Sequence, residues 1–133
     1  MSSSFFRPLL REPQRRQVIR NTRNGRVIAD DLTSAFDSKS RKVGLLNHVS
    51  FPQGAAMLIA PTSAVHTFFM RFPIDIAFIT REGTVVKVCH SVRPWRIAAA
   101  FRAYGVIELP AGTLAAAGTV AGDVLAVVPA EQV

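Results

Sequence analysis

From Gly54 to the C-terminus the chain is a succession of short β-prone runs, each closed within a few residues by glycine, proline or aspartate. This punctuation constrains the fold more than any other feature, because the segments are long enough for strands and too short for most helices. Ala55–Ala60 closes at Pro61. Val65–Met70 and Asp75–Thr80 are separated by Phe72 and Pro73. Thr84–His90 follows the turn Arg81-Glu82-Gly83, and Tyr104–Leu109 stops at Pro110. Gly112 and Gly118 mark further breaks, and Gly122-Asp123 turns the chain into a last strand, Val124–Val128. Asp75–Thr80 and Thr84–His90 read as a hairpin. Upstream, Gln17–Arg20 and Arg26–Ala29 flank Asn24-Gly25, a turn pair whose residues both tolerate positive φ. Ser34–Asn47 reads as a helix with Ser38 as a cap, although Gly44 weakens it. Ala98–Ala100 and Ala115–Ala117 are short enough to be single helical turns. The expected fold is mainly β: a single small β-sandwich or partly closed barrel with one or two short helices.

A chain of 133 residues fits one domain. Residues 1–15, rich in Ser, Arg, Pro and Gln, read as a flexible basic leader, and residues 16–133 as the β domain. A composition 49% hydrophobic and 19% charged excludes a disordered chain. Cys89 is the only cysteine, so no internal disulfide forms and nothing requires an oxidising compartment. Arg7 and Arg11 break the N-terminal apolar run that a secretory signal needs, and Arg71, Pro73 and Asp75 interrupt the longest apolar stretch, Val65–Thr80. The expectation is a cytoplasmic protein without a membrane span.

The formal charge is +7 and unevenly placed. Residues 1–42 hold ten Lys/Arg against four Asp/Glu, and residues 43–133 hold six against five. Such an arm suits an anionic surface such as nucleic acid or lipid headgroups, and equally a solvated, solubilising face. Before Phe36 its only aromatic residues are Phe5 and Phe6, without the interleaved rings of a single-strand binder.

A set of motifs in fixed order resembles the DUF192 family of uncharacterised bacterial and archaeal domains. It runs Ser40-Arg41-Lys42-Val43-Gly44-Leu45-Leu46, then the stretch from Val65 through His66, Met70, Arg71 and Asp75 to Ile79, then Gly83-Thr84-Val85-Val86. Arg93-Pro94-Trp95-Arg96, Glu108-Leu109-Pro110-Ala111-Gly112 and Gly122-Asp123 complete it. Membership implies a compact, mainly β fold resembling a sandwich or barrel, and no assigned activity. Many relatives look exported; this chain does not.

The candidate site residues are His66, Arg71, Asp75, Arg93, Trp95, Arg96 and Glu108. In an alternating strand His66, Phe68 and Met70 would share one face, so His66 either lines a pocket or is a core histidine bonded to backbone. His66, Met70, Cys89 and His90 contain soft-metal ligand types, but no spacing requires a metal, and none is assigned. Asp75 opens a run after Pro73; it reads as a ligand-facing carboxylate or a turn-capping acceptor, with Arg71 as a partner. Trp95, the only tryptophan, lies in a loop between Arg93 and Arg96. That combination suits an anion or a ring, or a lid over the end of a barrel. Glu108 reads as an ion-pair partner of Arg93 or Arg96, or, with Asp75, as one of two carboxylates in an acid–base site.

No Gly-rich phosphate loop, nucleophile elbow, paired CxxC or HExxH motif is present, and Cys89 alternates within a strand without a visible base. The expected function is a non-catalytic binding module for a small anionic or aromatic ligand or a peptide, with no cofactor. The alternatives are a nucleic-acid-associated protein using the basic N-terminal arm, and an acid–base hydrolase.

Overall fold

The computed structural model describes residues 4–43 and 48–133. In chain order its elements are α1 (Arg7–Arg11), β1 (Gln17–Asn21), β2 (Val27–Ala29), β3 (Asp31–Ala35), α2 (Ser38–Val43), β4 (Ala55–Ile59), β5 (Ala64–His66), β6 (Ile74–Ile79), β7 (Val85–Val92), β8 (Ile97–Ala99), β9 (Gly105–Pro110), α3 (Thr113–Ala116) and β10 (Leu125–Pro129). Most turn signals fall where the sequence places them. Asn24-Gly25 joins β1 and β2, with Gly25 at φ +74°. Gly83 joins β6 and β7 at φ +95°, and a Cβ there would meet the Leu125 carbonyl.

Three sheets result. A five-stranded sheet has the order β3-β4-β9-β6-β7, a three-stranded sheet the order β10-β1-β2, and β5 pairs with β8 alone. All pairs are antiparallel except β3 with β4, which are parallel and joined through α2. The two larger sheets meet at two corners. Asp30 alone separates β2 from β3, and an isolated bridge between Thr84 and Val124 ties β7 to β10. The result is a sandwich with two joined corners and no closed barrel among the described residues.

The central strands β4, β6 and β9 are buried along their whole length, because the five-stranded sheet is covered on both faces. One face packs Leu58, Ala77, Ile79, Ile107 and Leu109 against Ile19, Ile28, Leu125 and Leu114. The other packs Met57, Ile59, Ile74, Ile76, Phe78 and Val106 against Met70, with Val65 and Ala98 of the β5–β8 ribbon beside them. A near-continuous apolar run is what a strand buried on both sides requires.

Several sequence expectations are corrected. Phe5 and Phe6, in the segment read as a flexible leader, lie in the core, and Phe5 N donates to Arg81 O at 2.7 Å. Burying each ring contributes roughly 2–3 kcal/mol, more than a polar arm offers. The stretch 34–47 is not one helix. Its first residues finish β3, where parallel pairing with β4 overrides helix propensity. The N-terminal cap of α2 is Asp37, which accepts from the Ser40 N–H and hydroxyl at 2.8 Å each, rather than Ser38; residues 44–47 lie outside the described residues. The run Val65–Met70 is a strand only to His66, because Phe69 adopts φ +66° and turns the chain. Ala98 and Ala99 lie in β8, whereas Ala115 and Ala116 are helical in α3.

Among the described residues no helix is long and apolar enough to cross a membrane.

Candidate functional site

Thr67 is 1% exposed and sits where β5 ends. Its hydroxyl donates to Arg93 O at 2.7 Å and accepts from Arg96 N at 2.9 Å. Its backbone N–H donates to Arg96 O at 2.8 Å, and its carbonyl accepts from Trp95 N at 3.0 Å and Met70 N at 3.2 Å. One threonine thus satisfies the backbone of two loops and presses them together. A buried hydroxyl with both donor and acceptor capacity used is costly to replace.

Large apolar side chains on these loops and on β8 are left outside. Phe69 is 68% exposed, Trp95 56% and Ile97 71%. The rings form a ladder. His66 stacks on Phe68 at 4.8 Å, Phe68 on Trp95 at 5.8 Å, and Phe69 meets Trp95 at 4.5 Å. The Phe68 N–H donates to His66 Nδ1 at 3.3 Å, which fixes the imidazole against the ladder. Phe69 at φ +66° and Trp95 at φ +67° hold the left-handed backbone conformation that bulky residues avoid. Each costs on the order of 1 kcal/mol, which the Thr67 bonds offset. Two strained residues thus carry exposed rings, held by the buried Thr67 beneath them.

The segments that carry the ladder and its flanks hold four arginines. Arg71, Arg93, Arg96 and Arg102 are exposed. The only carboxylates between residues 61 and 104 are Asp75 and Glu82, and Asp75 is fully buried. Arg93 and Arg96 flank Trp95 in the chain, so the loop that carries it is basic.

The structure brings His66, Arg93, Trp95 and Arg96 together in this surface and separates them from Asp75 and Glu108. His66 is exposed on a two-stranded ribbon, so it is neither a core histidine nor a pocket floor. Asp75 does not pair with Arg71. Its Oδ1 accepts from Ser91 N and its Oδ2 from Leu114 N, both at 2.9 Å. The first bond stabilises a bulge in β7, where Ser91 adopts φ +48°, and the second fixes the start of α3. Asp75 is a structural acceptor across three elements.

Glu108 pairs with neither Arg93 nor Arg96. It lies between Met57 of β4 and Ile76 of β6, 3% exposed in an apolar row. Burial pushes its carboxyl up to about 7. Asp75 stands opposite Leu109 in the β6–β9 register, so Asp75 and Glu108 project from opposite faces of one sheet. They cannot act as a carboxylate pair on one substrate. Asp123, read as turn chemistry, accepts from Arg23 Nε at 2.6 Å, Asn21 Nδ2 at 2.8 Å and Val120 N at 3.0 Å. The Arg23 guanidinium holds its carboxyl well below the usual carboxylate range.

Thr67, Phe68, Phe69 and Ile97 complete the surface and escape a sequence reading. The adjacent pair Phe68-Phe69 beside Arg71 was the available signal, hidden because a continuous strand over Val65–Met70 would bury one ring on each face.

Residues 19–127 match the DUF192 family, described as Uncharacterized ACR. The chain belongs to the DUF192 family. The comparison with curated proteins found no match. Among solved structures this DUF192 domain is similar to a candidate transcription regulator from Sinorhizobium meliloti 1021, with a TM-score of 0.72 at 24% identity, covering 84% of this chain and 91% of that one. It is also similar to a protein of unknown function from Novosphingobium aromaticivorans, with a TM-score of 0.71 at 19% identity, covering 83% and 82%. At these identities the likeness shows the fold.

Proposed function

We propose that this DUF192 domain is a non-catalytic binding module whose recognition surface is the ring ladder of Phe69 and Trp95 between Arg93 and Arg96. Its ligand combines an anionic group with an aromatic or apolar body, as a small molecule or within a peptide. The observation that carries this reading is the exposed Phe69–Trp95 contact on two left-handed residues, held by buried Thr67. The rings supply apolar area at low entropy cost, and the guanidinium forks supply planar donors. Trp95 is the sole tryptophan, so its emission reports on the site directly. Titration with aromatic carboxylates, aromatic phosphates and acidic peptides is expected to quench it saturably, with affinity falling at least ten-fold in Arg93→Ala with Arg96→Ala. No saturable change across the panel, or binding indifferent to both substitutions, sinks the reading.

A second reading follows the printed description of the Sinorhizobium meliloti protein and the basic N-terminal third: nucleic-acid association. Part of that charge is used internally. Arg15 pairs with Glu12 and Glu131, Arg23 with Asp123, and Arg26 donates to Ala116 O. Arg7, Arg11 and Arg16 are the exposed arginines left for a phosphate backbone. Replacing all three with Gln lowers the salt slope of binding if this reading holds; absent or salt-independent binding excludes it. Deleting residues 1–26 is not a valid test, since it removes Phe5, Phe6 and β1 from the fold.

A further inference from the structure

Strand β3 is the edge of the five-stranded sheet, and its outer side is unpaired among the described residues. Which residues face outward follows from its bonds to β4. Asp31 N donates to Gly54 O at 3.1 Å, and Ala35 O accepts from Ala60 N at 3.4 Å. In a parallel ladder successive residues point to alternate sides, so Asp31, Thr33 and Ala35 face β4. Leu32 and Ser34 therefore turn their N–H and C=O groups to the free edge.

A slot runs along that edge. Its volume is about 900 Å³, and Leu9, Leu10, Arg16, Asp31, Leu32 and Phe36 are among its walls. It exists because β1 fails to continue beside β3. Extending the register in which Ile19 faces Ala29 would set Arg15 opposite Thr33. Instead Arg15 N donates back to Glu12 O in a turn, Pro13 offers no N–H, and the Gln17 side chain donates to Pro8 O, drawing the chain toward α1. The corner is left one strand short.

The walls differ along the slot. Asp30 and Asp31 are exposed at the start of β3 and have no ion-pair partner among the described residues, whereas Phe36 follows its end. Arg15, also lining the slot, is neutralised by Glu12 and Glu131.

We propose that this slot is a β-augmentation site, in which an extended segment of a partner protein pairs its backbone with Leu32 and Ser34. An unpaired edge recognises polypeptide backbone and little else, and Leu9, Leu10, Leu32 and Phe36 in the walls offer apolar contacts to a segment's side chains. The segment carries a Lys or Arg at the Asp30–Asp31 end and an apolar residue at the Phe36 end. This surface is distinct from the aromatic ladder, so either proposal stands or falls without the other.

The test uses two end-blocked hexapeptides of alternating valine and threonine, one with an added lysine at its N-terminus and one at its C-terminus. One direction is expected to bind saturably and to slow amide exchange of Leu32 and Ser34 at least ten-fold, leaving Thr33, already bonded to β4, unchanged. The same peptide N-methylated on the edge that pairs with β3 loses binding. Ser34→Pro, which removes an outward N–H that no other described residue accepts, abolishes binding, while Ser34→Ala retains it. The proposal is overturned if neither peptide protects those amides, if the N-methylated peptide binds equally, or if Leu32 and Ser34 become protected without peptide as protein concentration rises. The last result would make the edge an interface between copies of this chain.

Discussion

The rings of Phe69 and Trp95 meet at 4.5 Å, and each is carried by a residue with a left-handed backbone. Nothing in their own packing requires this, since both are more than half exposed. Their geometry is imposed from below by Thr67, and stability and ligand binding should therefore separate on substitution.

Phe69→Gly relieves a strained φ and loses little buried area. Its expected effect on folding is small, within about 1 kcal/mol and of either sign, because glycine's relief is opposed by its larger unfolded-state entropy. Affinity for any ligand of the ladder should drop at least ten-fold. Chemical denaturation beside Trp95 quenching separates the two; a large stability loss with intact binding contradicts the assignment.

Thr67→Val keeps shape and removes both hydroxyl bonds, leaving Arg96 N without an acceptor and Arg93 O without that donor. The expected loss is about 1–3 kcal/mol. Amide exchange of Trp95 and Arg96 should accelerate, showing that the two loops have separated. Unchanged exchange would mean that the loops hold without this residue.

Asp75→Asn offers an amide N–H₂ to a site holding two backbone donors. One of them must lose its acceptor, so the expected cost is roughly 2–3 kcal/mol in thermal or urea unfolding. Asp75→Glu should be no milder, because the two acceptor positions are fixed by α3 and the β7 bulge.

Glu108 gives the pH dependence. Its folded carboxyl titrates at about 7 rather than at 4.5, because burial disfavours the charged form. Between these values the folded chain holds a proton that the unfolded chain releases, so stability falls as pH rises and stays reduced above 7. The loss at pH 8 is on the order of 3 kcal/mol. Glu108→Gln should remove this slope. It should leave stability near pH 4 little changed and raise it at pH 8, measured by urea unfolding across pH. Parallel curves for the two proteins would show that Glu108 titrates normally.

Much of the strand layout was legible in the chain. Asn24-Gly25, Gly83, Pro110 and Gly122-Asp123 mark turns whose backbone requirements are local, and the apolar runs Ala55–Ala60 and Asp75–Thr80 read as strands; that β4 and β6 are buried along their whole length came from the layers packed on both faces of the sheet. The DUF192 resemblance rests on the same local punctuation. Tertiary structure alone decided what the polar residues do. The sequence places Arg71 near Asp75 and Glu108 within two residues of Pro110, but sheet register sends Asp75 and Glu108 to opposite faces and gives Asp75 backbone partners from Ser91 and Leu114. Nor does periodicity disclose that Val65–Met70 breaks at Thr67. A hydroxyl that joins residues 26 and 29 positions away leaves no local trace, because loop-to-loop hydrogen bonds depend on packing rather than on neighbours in the chain.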